Sequence, residues 1–304
     1  MNSLPPVALF VYRRPDHARR TVAALAACPE ARKVDLVVFS DGPRSMGNGK
    51  AVEETREVIR SSKGFHNVRL VERTKNVGLF RNVVDGLNEL FRENERVVVL
   101  EDDIEVRPDF LSFMHEALAH YGTSGRIHSI TGYLYPADFH FPAGLDSFLF
   151  PRFCCWGWAT WRERWNEIDW RVPTRGSFMG SRDAFRRFWS ASNDLPEIML
   201  DLIEGKNSSW SILFNYTHVR SSRYCVYPTR SLARNIGFDG TGTHDGRKDT
   251  SEPYGRLSEG QSGRSTTFHF ADAYEEALSQ PLAAYFRNGM RRRIKNLIRY
   301  GRFF

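Results

Sequence analysis

Three consecutive acids, Glu101, Asp102 and Asp103, follow the unbroken apolar run Val97-Val98-Val99-Leu100 within RVVVLEDDIEVRPDF. Such a run reads as a strand buried on both faces, which puts the acids at its C-terminal tip. Carboxylates there are costly to desolvate unless a cation faces them, and strand tips are where open α/β sheets bind ligands. A divalent metal carrying a phosphorylated substrate meets both conditions, because hard cations take carboxylate oxygens and keep sites open for phosphate. The same acids would also cap a helix opening at Pro108, since Pro is tolerated in a first turn and acids favour that end. Three more turn regions follow strands and share the edge: Arg13-Arg14, Asp41 and Asn76-Val77-Gly78. Together they offer acids for a metal, a lone Asp for a base or ribose edge, and Arg for phosphate. That set suits a nucleoside diphosphate bound through a divalent ion. Asp41, in Ser40-Asp41-Gly42-Pro43, reads equally as a turn former, and the two arginines equally as a solvated loop.

The elements that must position these residues follow from periodicity. Val7–Tyr12, Leu36–Phe39, Val68–Val71, Val97–Leu100 and Ile127–Thr131 read as strands. Helical patterns open at Pro15-Asp16, with Ala18, Val22 and Leu25 on one face, and run over Val52–Ile59 and Leu79–Phe91. Another carries Phe110, Phe113, Met114 and Ala117 on one face. Strands alternating with helices predict right-handed βαβ units and a mainly parallel central sheet flanked by helices. Residues 1–135 form the nucleotide-binding half on this reading. No GxGxxG follows the first strand and no GxxxxGK[ST] occurs, which argues against a dinucleotide dehydrogenase and a P-loop enzyme.

Residues 136–275 read as an irregular, aromatic-rich half packed on the sheet. Five tryptophans fall in the 17 residues CCWGWATWRERWNEIDW. Trp156, Trp158 and Trp161 suit a platform for the apolar face of a sugar, or plain core packing; Trp158 and Trp161 would share a face if their segment is helical. Helices are expected over Arg182–Ser190, Leu195–Glu204 and Trp210–Arg220, and a strand over Tyr224–Tyr227.

Residues 276–304 form a basic tail. From Ala277 onward there are seven basic residues and no acid, and without those seven of the 43 the body balances at 36 basic against 36 acidic residues. A neutral body argues against nucleic acid as a partner, because phosphate binding needs a basic groove on the fold itself. Phe286, Met290, Ile294, Leu297 and Ile298 make one apolar helical stripe, so the tail is expected to lie on an anionic membrane surface or to dock on the body. No run of about 18 apolar residues is present for a spanning helix. The N-terminus lacks the pattern of a secretory signal. Cys28, Cys154, Cys155 and Cys225 have neither metal-site nor disulfide spacing. These features suit a cytoplasmic protein held peripherally on the inner face of a membrane.

The Arg-Pro helix start after the first strand, then SDGP, NVGL and LEDDIEVRPDFLSFM, resemble a glycosyltransferase of the GT-A type over about residues 5–250. The EDD with PDF six residues on is similar to the N-acetylglucosaminyltransferase I group and related bacterial sugar transferases, as are WGWATWRERW and YPTRSLARNIGFDGTGTH. The resemblance implies a GT-A nucleotide-binding fold and a metal-dependent, inverting transfer of a hexose or N-acetylhexosamine from a UDP-linked donor to a glycan or lipid-linked acceptor. Asp103 would bind Mn²⁺ or Mg²⁺ directly, with Glu101 and Asp102 beside it and Asp102 facing the ribose or sugar. Asp41 would sit against uracil with Arg13 and Asn76 nearby. His244 would be a second metal ligand or a phosphate contact. In such enzymes an Asp stands one or two residues before a Trp as the base that deprotonates the acceptor. Here Ser208 and Ser209 precede Trp210 and cannot ionise near neutral pH, leaving Glu204 and Asp201 as candidates. The missing Asp keeps open a catalytically weak sugar-nucleotide or carbohydrate-binding protein of the same fold. A sugar-phosphate nucleotidylyltransferase would need a Gly-rich loop where VYRRPDH stands.

Overall fold

The computed structural model describes residues 4–240, 257, 267–287 and 289–301. The aliphatic runs become strands β1 (Val7–Val11), β2 (Asp35–Ser40), β3 (Asn67–Glu72) and β4 (Arg96–Glu101). They pair in parallel in the order β3-β2-β1-β4, with Val7 opposite Leu36 on one side and Val98 on the other. β3 closes the edge of the sheet, and its Arg69 and Glu72 are exposed. The crossovers are α1 (Pro15–Ala26), α2 (Gly49–Arg60) and α3 (Leu79–Leu90). Successive strand side chains point to opposite faces. Val7, Leu9 and Val11 therefore pack with Ala18, Val22 and Leu25 of α1, whereas Ala8 and Phe10 pack with Val83 and Leu87 of α3. The chain steps outward from β1 to β3, and α3 returns it to the other side of β1. That reversal leaves a crevice between the tips of β1 and β4, where open sheets bind ligands.

The sheet continues past β4 through β8 (Trp158–Trp161), β6 (Ile127–Thr131), β9 (Tyr224–Pro228) and β7 (Ser147–Phe150), making eight strands. β8 runs antiparallel to both β4 and β6, and β7 runs antiparallel to β9. The fold is thus mixed α/β with a large, mostly parallel sheet flanked by helices, and the residues after 135 add strands to that same sheet. The helical option for 158–161 fails because β4 offers that segment a ladder, Val99 opposite Trp158 and Arg96 opposite Trp161.

β5 (Ile104–Val106) leaves the acidic tip and pairs with β10 (Ala233–Asn235), and α4 (Phe110–His120) follows. A separate apolar cluster gathers α6 (Arg175–Gly180), α7 (Arg182–Ala191), α8 (Leu195–Ile203) and α9 (Ser211–Arg220), with α5 (Arg162–Asn166) ahead of them. Phe178, Phe188, Met199, Leu200 and Ile212 fill it, and Tyr300 of the tail joins them. The tail is two helices, α10 (Glu276–Tyr285) and α11 (Met290–Tyr300), rather than one. Phe286 accordingly leaves the predicted stripe and packs inward, 4.7 Å from the Tyr135 ring and under the Arg152 guanidinium at 4.0 Å. All four cysteines are free thiols, and among the described residues no helix is long and apolar enough to cross a membrane.

Two buried histidines give the fold a measurable pH dependence. His128 and His218 are wholly buried with ring centroids 5.3 Å apart, and among the described residues no ring nitrogen of either has a hydrogen-bond partner. Burial, with Arg223 nearby, pushes His218 down to about 3, and burial and His218 push His128 well below its ordinary 6.5. A depressed histidine stays neutral in the native state while the unfolded chain protonates, so stability is intact above about 6.5 and falls as the pH drops towards the folded values. The pair should cost about 2–3 kcal/mol between pH 7 and pH 5.5. Thermal midpoints at the two pH values check this, with His218→Leu expected to remove about half the drop. A wild-type midpoint that does not move would refute it.

Candidate active site at the tips of β1 and β4

The parallel register sets Phe10 beside Glu101, so the loops after β1 and β4 begin side by side. The Tyr12 amide donates to Asp102 Oδ2 at 3.2 Å, and the Thr21 hydroxyl donates to the Asp102 carbonyl at 2.8 Å. Arg14 then reaches across the crevice: its guanidinium pairs with Asp102 and donates to Asp103 Oδ2 at 2.8 Å. Burial opposes the Arg14 charge, but Asp102 and Asp103 more than offset this and hold it above its ordinary value. Burial pushes the Glu101 carboxyl up to about 8, with Asp103 and Asp102 adding to the rise and the nearby Arg14 and Trp210 side chains opposing it. Burial also raises Asp102 against the pull of Arg14. Asp102 and Asp103 thus share one paired cation, with the Glu101 carboxyl crowded beside them, a charge balance that favours a further positive ligand.

The segment after β10 closes the other side. The Ile236 amide donates to the Asp103 carbonyl at 2.8 Å, and His17 Nε2 lies 3.3 Å from the Ile236 carbonyl and 3.2 Å from an Asp239 carboxylate oxygen. Gly237 passes so close that a Cβ there would lie 2.3 Å from Asp103 Oδ2. A side chain at this position would push the Asp103 carboxylate and the Arg14 guanidinium out of their present pairing.

Asp41 is buried, and its oxygens accept four hydrogen bonds. Oδ1 takes the amides of Gly42 at 2.8 Å and Val77 at 2.9 Å; Oδ2 takes the Gly78 amide and the Asn76 side chain, each at 2.9 Å. Asn76 also donates to the Gly42 carbonyl at 2.9 Å. Asp41 and Asn76 therefore join the loops after β2 and β3 into one rim of the crevice. Arg13 is exposed, its guanidinium 5.8 Å from the Tyr12 ring, and Arg14 is the arginine that turns inward.

The aromatic residues divide by burial. Trp158 and Trp161 lie on opposite faces of β8: Trp158 packs on Phe153, Trp210 and Phe214, and the Trp161 indole donates to the Leu118 carbonyl at 3.3 Å. Both are core, and neither turns a ring face to solvent. Trp156 is half-buried, edge-on to Tyr133 at 4.6 Å and 5.6 Å from Phe238. It lines a cleft of about 180 Å³ with Tyr135, Arg152, Cys155, Ser209 and Asn215. A larger groove of about 690 Å³ runs between α1 and α2, and none of the three acids lines it.

The two acids expected to act as a base sit elsewhere. The first turn of α8 lines the cleft through Leu195 and Ile198, but Asp201 and Glu204 lie at its other end. Asp201 accepts from Arg299 at 2.6 Å and from the Tyr300 hydroxyl at 3.0 Å. Glu204 pairs with Lys206 and with Arg175 at 3.1 Å, and the Lys206 hydrogen bond draws its carboxyl below the ordinary value. Both are occupied with the tail and its surroundings. His244 lies outside the described residues.

The sequence pattern singled out Arg13 rather than Arg14 as the arginine of the site and gave no sign that Trp210 stands beside Glu101. Arg14 was available in the Arg13-Arg14 pair, since a residue at the start of α1 faces the crevice. The Glu101–Trp210 contact joins residues 109 positions apart and has no local signal.

Metal chemistry can be judged from the donor set. Among the described residues no three His, Cys, Asp or Glu side chains form a ready-made cage. A Mg²⁺ or Mn²⁺ arriving with a diphosphate needs only one or two carboxylates. Asp103, with 15% of its side chain exposed, and its neighbour Asp102 are donors of that kind, and their excess negative charge suits the ion.

No family model matches the sequence, and no curated protein matches it. A search of solved structures finds S. aureus TarS, a glycosyltransferase, at TM-score 0.44 and 11% identity, covering 77% of this chain. This chain spans 37% of the length of that one. The match does not single out the N-acetylglucosaminyltransferase I group, and at this similarity it bears on neither substrate nor mechanism.

Proposed function

We propose that this chain is a GT-A type glycosyltransferase that binds a UDP-linked sugar at the tips of β1 and β4 together with Mn²⁺ or Mg²⁺. The observation that carries this reading is the meeting of Asp102 and Asp103 with Arg14 at the switch point of the sheet. Asp103 and Asp102 would hold the ion, which would supply Lewis-acid stabilisation of the departing nucleoside diphosphate. Arg14 fixes the two carboxylates in the crevice and adds a positive charge where phosphates would lie. The cleft beside Trp156 offers a half-buried ring and a polar edge from Ser209, the combination that suits an acceptor sugar. The motif resemblance to the N-acetylglucosaminyltransferase I group and its bacterial relatives supports a hexose or N-acetylhexosamine donor and a glycan or lipid-linked acceptor.

A second reading is a protein that binds sugar nucleotide without turning it over. The serines ahead of Trp210, and the engagement of Asp201 by the tail and of Glu204 by Arg175 and Lys206, favour it.

Thermal shift with UDP, with and without Mn²⁺, followed by UDP release over a donor panel, tests both. Stabilisation by UDP that needs Mn²⁺ is expected, amounting to about 2.7 kcal/mol at a hundredfold excess over Kd. UDP release then marks a transferase, and binding without release marks the second reading. No response to any nucleoside diphosphate would sink both.

A further inference from the structure

The last helix is amphipathic with its faces reversed. On α11 the face against the body is polar: Arg292 donates to Glu197 at 2.7 Å, Arg299 donates to Asp201 at 2.6 Å, and Asn296 is wholly buried. Arg293 lies over the Trp189 ring of α7 at 5.9 Å. The opposite face is apolar and open, with Met290 61%, Ile294 47%, Leu297 47% and Ile298 82% exposed. At 100° per residue these four cover one arc of about 100°, bordered on one edge by Arg291 and Lys295 and on the other by Arg293. A helix that merely completed the body would bury its apolar arc and leave its arginines in water. Here the acids Glu197 and Asp201 hold it the other way round.

We infer that α11 is a membrane-docking helix, held by α8 with its apolar arc outward to enter the headgroup boundary of an anionic bilayer. Charge decides the occupant. Arg287, Arg291 and Lys295 are exposed and have no carboxylate partner among the described residues, so they remain available to lipid phosphates. On neighbouring α7, Arg182 and Arg186 are exposed at helical spacing from Trp189 and extend the basic surface. An apolar strip with basic flanks is what binding to an anionic interface requires. A second copy of this chain would set these unpaired cations against their own kind. The clamp fixes more than affinity: α8 also lines the cleft with its first turn, so the bound helix and the cleft keep a set relation through one rigid element.

The test is co-sedimentation of the full chain with phosphatidylcholine vesicles, with and without phosphatidylglycerol as a third of the lipid. Binding to the anionic vesicles is expected at least about tenfold tighter than to the neutral ones, and weakening with salt. Ile294→Asp with Ile298→Asp should lower it by about tenfold or more, and Arg291→Glu with Lys295→Glu by at least about fivefold per position. All four sites face solvent, so the thermal midpoint should hold, and the lipid comparison on the unaltered chain needs no variant. Absence of binding to anionic vesicles, or binding that both double variants retain, overturns the inference. A dimer in solution that Ile298→Asp dissociates, in a chain that ignores vesicles, overturns it in favour of self-association.

Discussion

Asp103→Ala should abolish the Mn²⁺-dependent part of UDP stabilisation and lower sugar transfer by about a thousandfold or more, roughly 4 kcal/mol of transition-state stabilisation. The size follows from what the side chain would hold. Asp103 would be a principal protein anchor for Mn²⁺ or Mg²⁺, and without its carboxylate the Lewis-acid stabilisation that the ion would supply to the departing diphosphate would be lost. The variant should still fold, because Arg14 keeps Asp102 as a partner and the Asp103 carbonyl still receives the Ile236 amide. An intact thermal midpoint in the absence of ligand is therefore part of the expected result. If the metal-dependent shift survives in Asp103→Ala, the acids serve only to seat Arg14 and to end the strand.

The same residue shows what a sequence can and cannot disclose. The strand, the acids at its tip and the four-strand parallel core were legible, because each rests on a local run whose period matches one element. Val97–Leu100 has no polar position to place on a solvent face, so it must be central. The second half was not legible in this way. Trp158 and Trp161 fit a helix face as well as a strand, and the choice is made by β4, a partner about 60 residues away. The segment is therefore a strand with its two indoles on opposite faces, and both rings are core rather than a sugar platform.

Acids on helices proved hardest to read. Asp201 and Glu204 follow an apolar helical pattern near Trp210, yet what they face depends on a tail about 100 residues on. Conversely, the acid that does touch Trp210 is Glu101, supplied by a different strand. A search along the chain for a carboxylate just before the Trp could not find it. Long-range electrostatic pairing carries no period, so it leaves no trace in local pattern. The neutral charge balance of the body is silent about which carboxylates are engaged.

Asp41→Ala is expected to act on stability rather than directly on nucleotide affinity, and to be among the most destabilising single changes at this edge. The side chain is 4% exposed and accepts from three backbone amides and one side-chain amide. Truncation leaves those donors without partners, and each orphaned donor costs about 1–3 kcal/mol where water cannot reach it. Part of the rim is wet, so the total should be about 3–5 kcal/mol, a fall of about 5–8 °C in the thermal midpoint. Asp41→Asn is the sharper variant. One amide oxygen can satisfy two donors, but the NH₂ group then faces the other two, so Asn should recover at most about half of the loss. The loops cannot relax to compensate, because Gly42 packs backbone to backbone on Lys75, where a Cβ would lie 2.4 Å from the carbonyl carbon. A residue whose main duty was to read the nucleobase would behave in the opposite way, with an unchanged midpoint and weakened UDP binding. That pattern in Asp41→Ala would overturn the assignment of Asp41 to the rim and return it to the ligand.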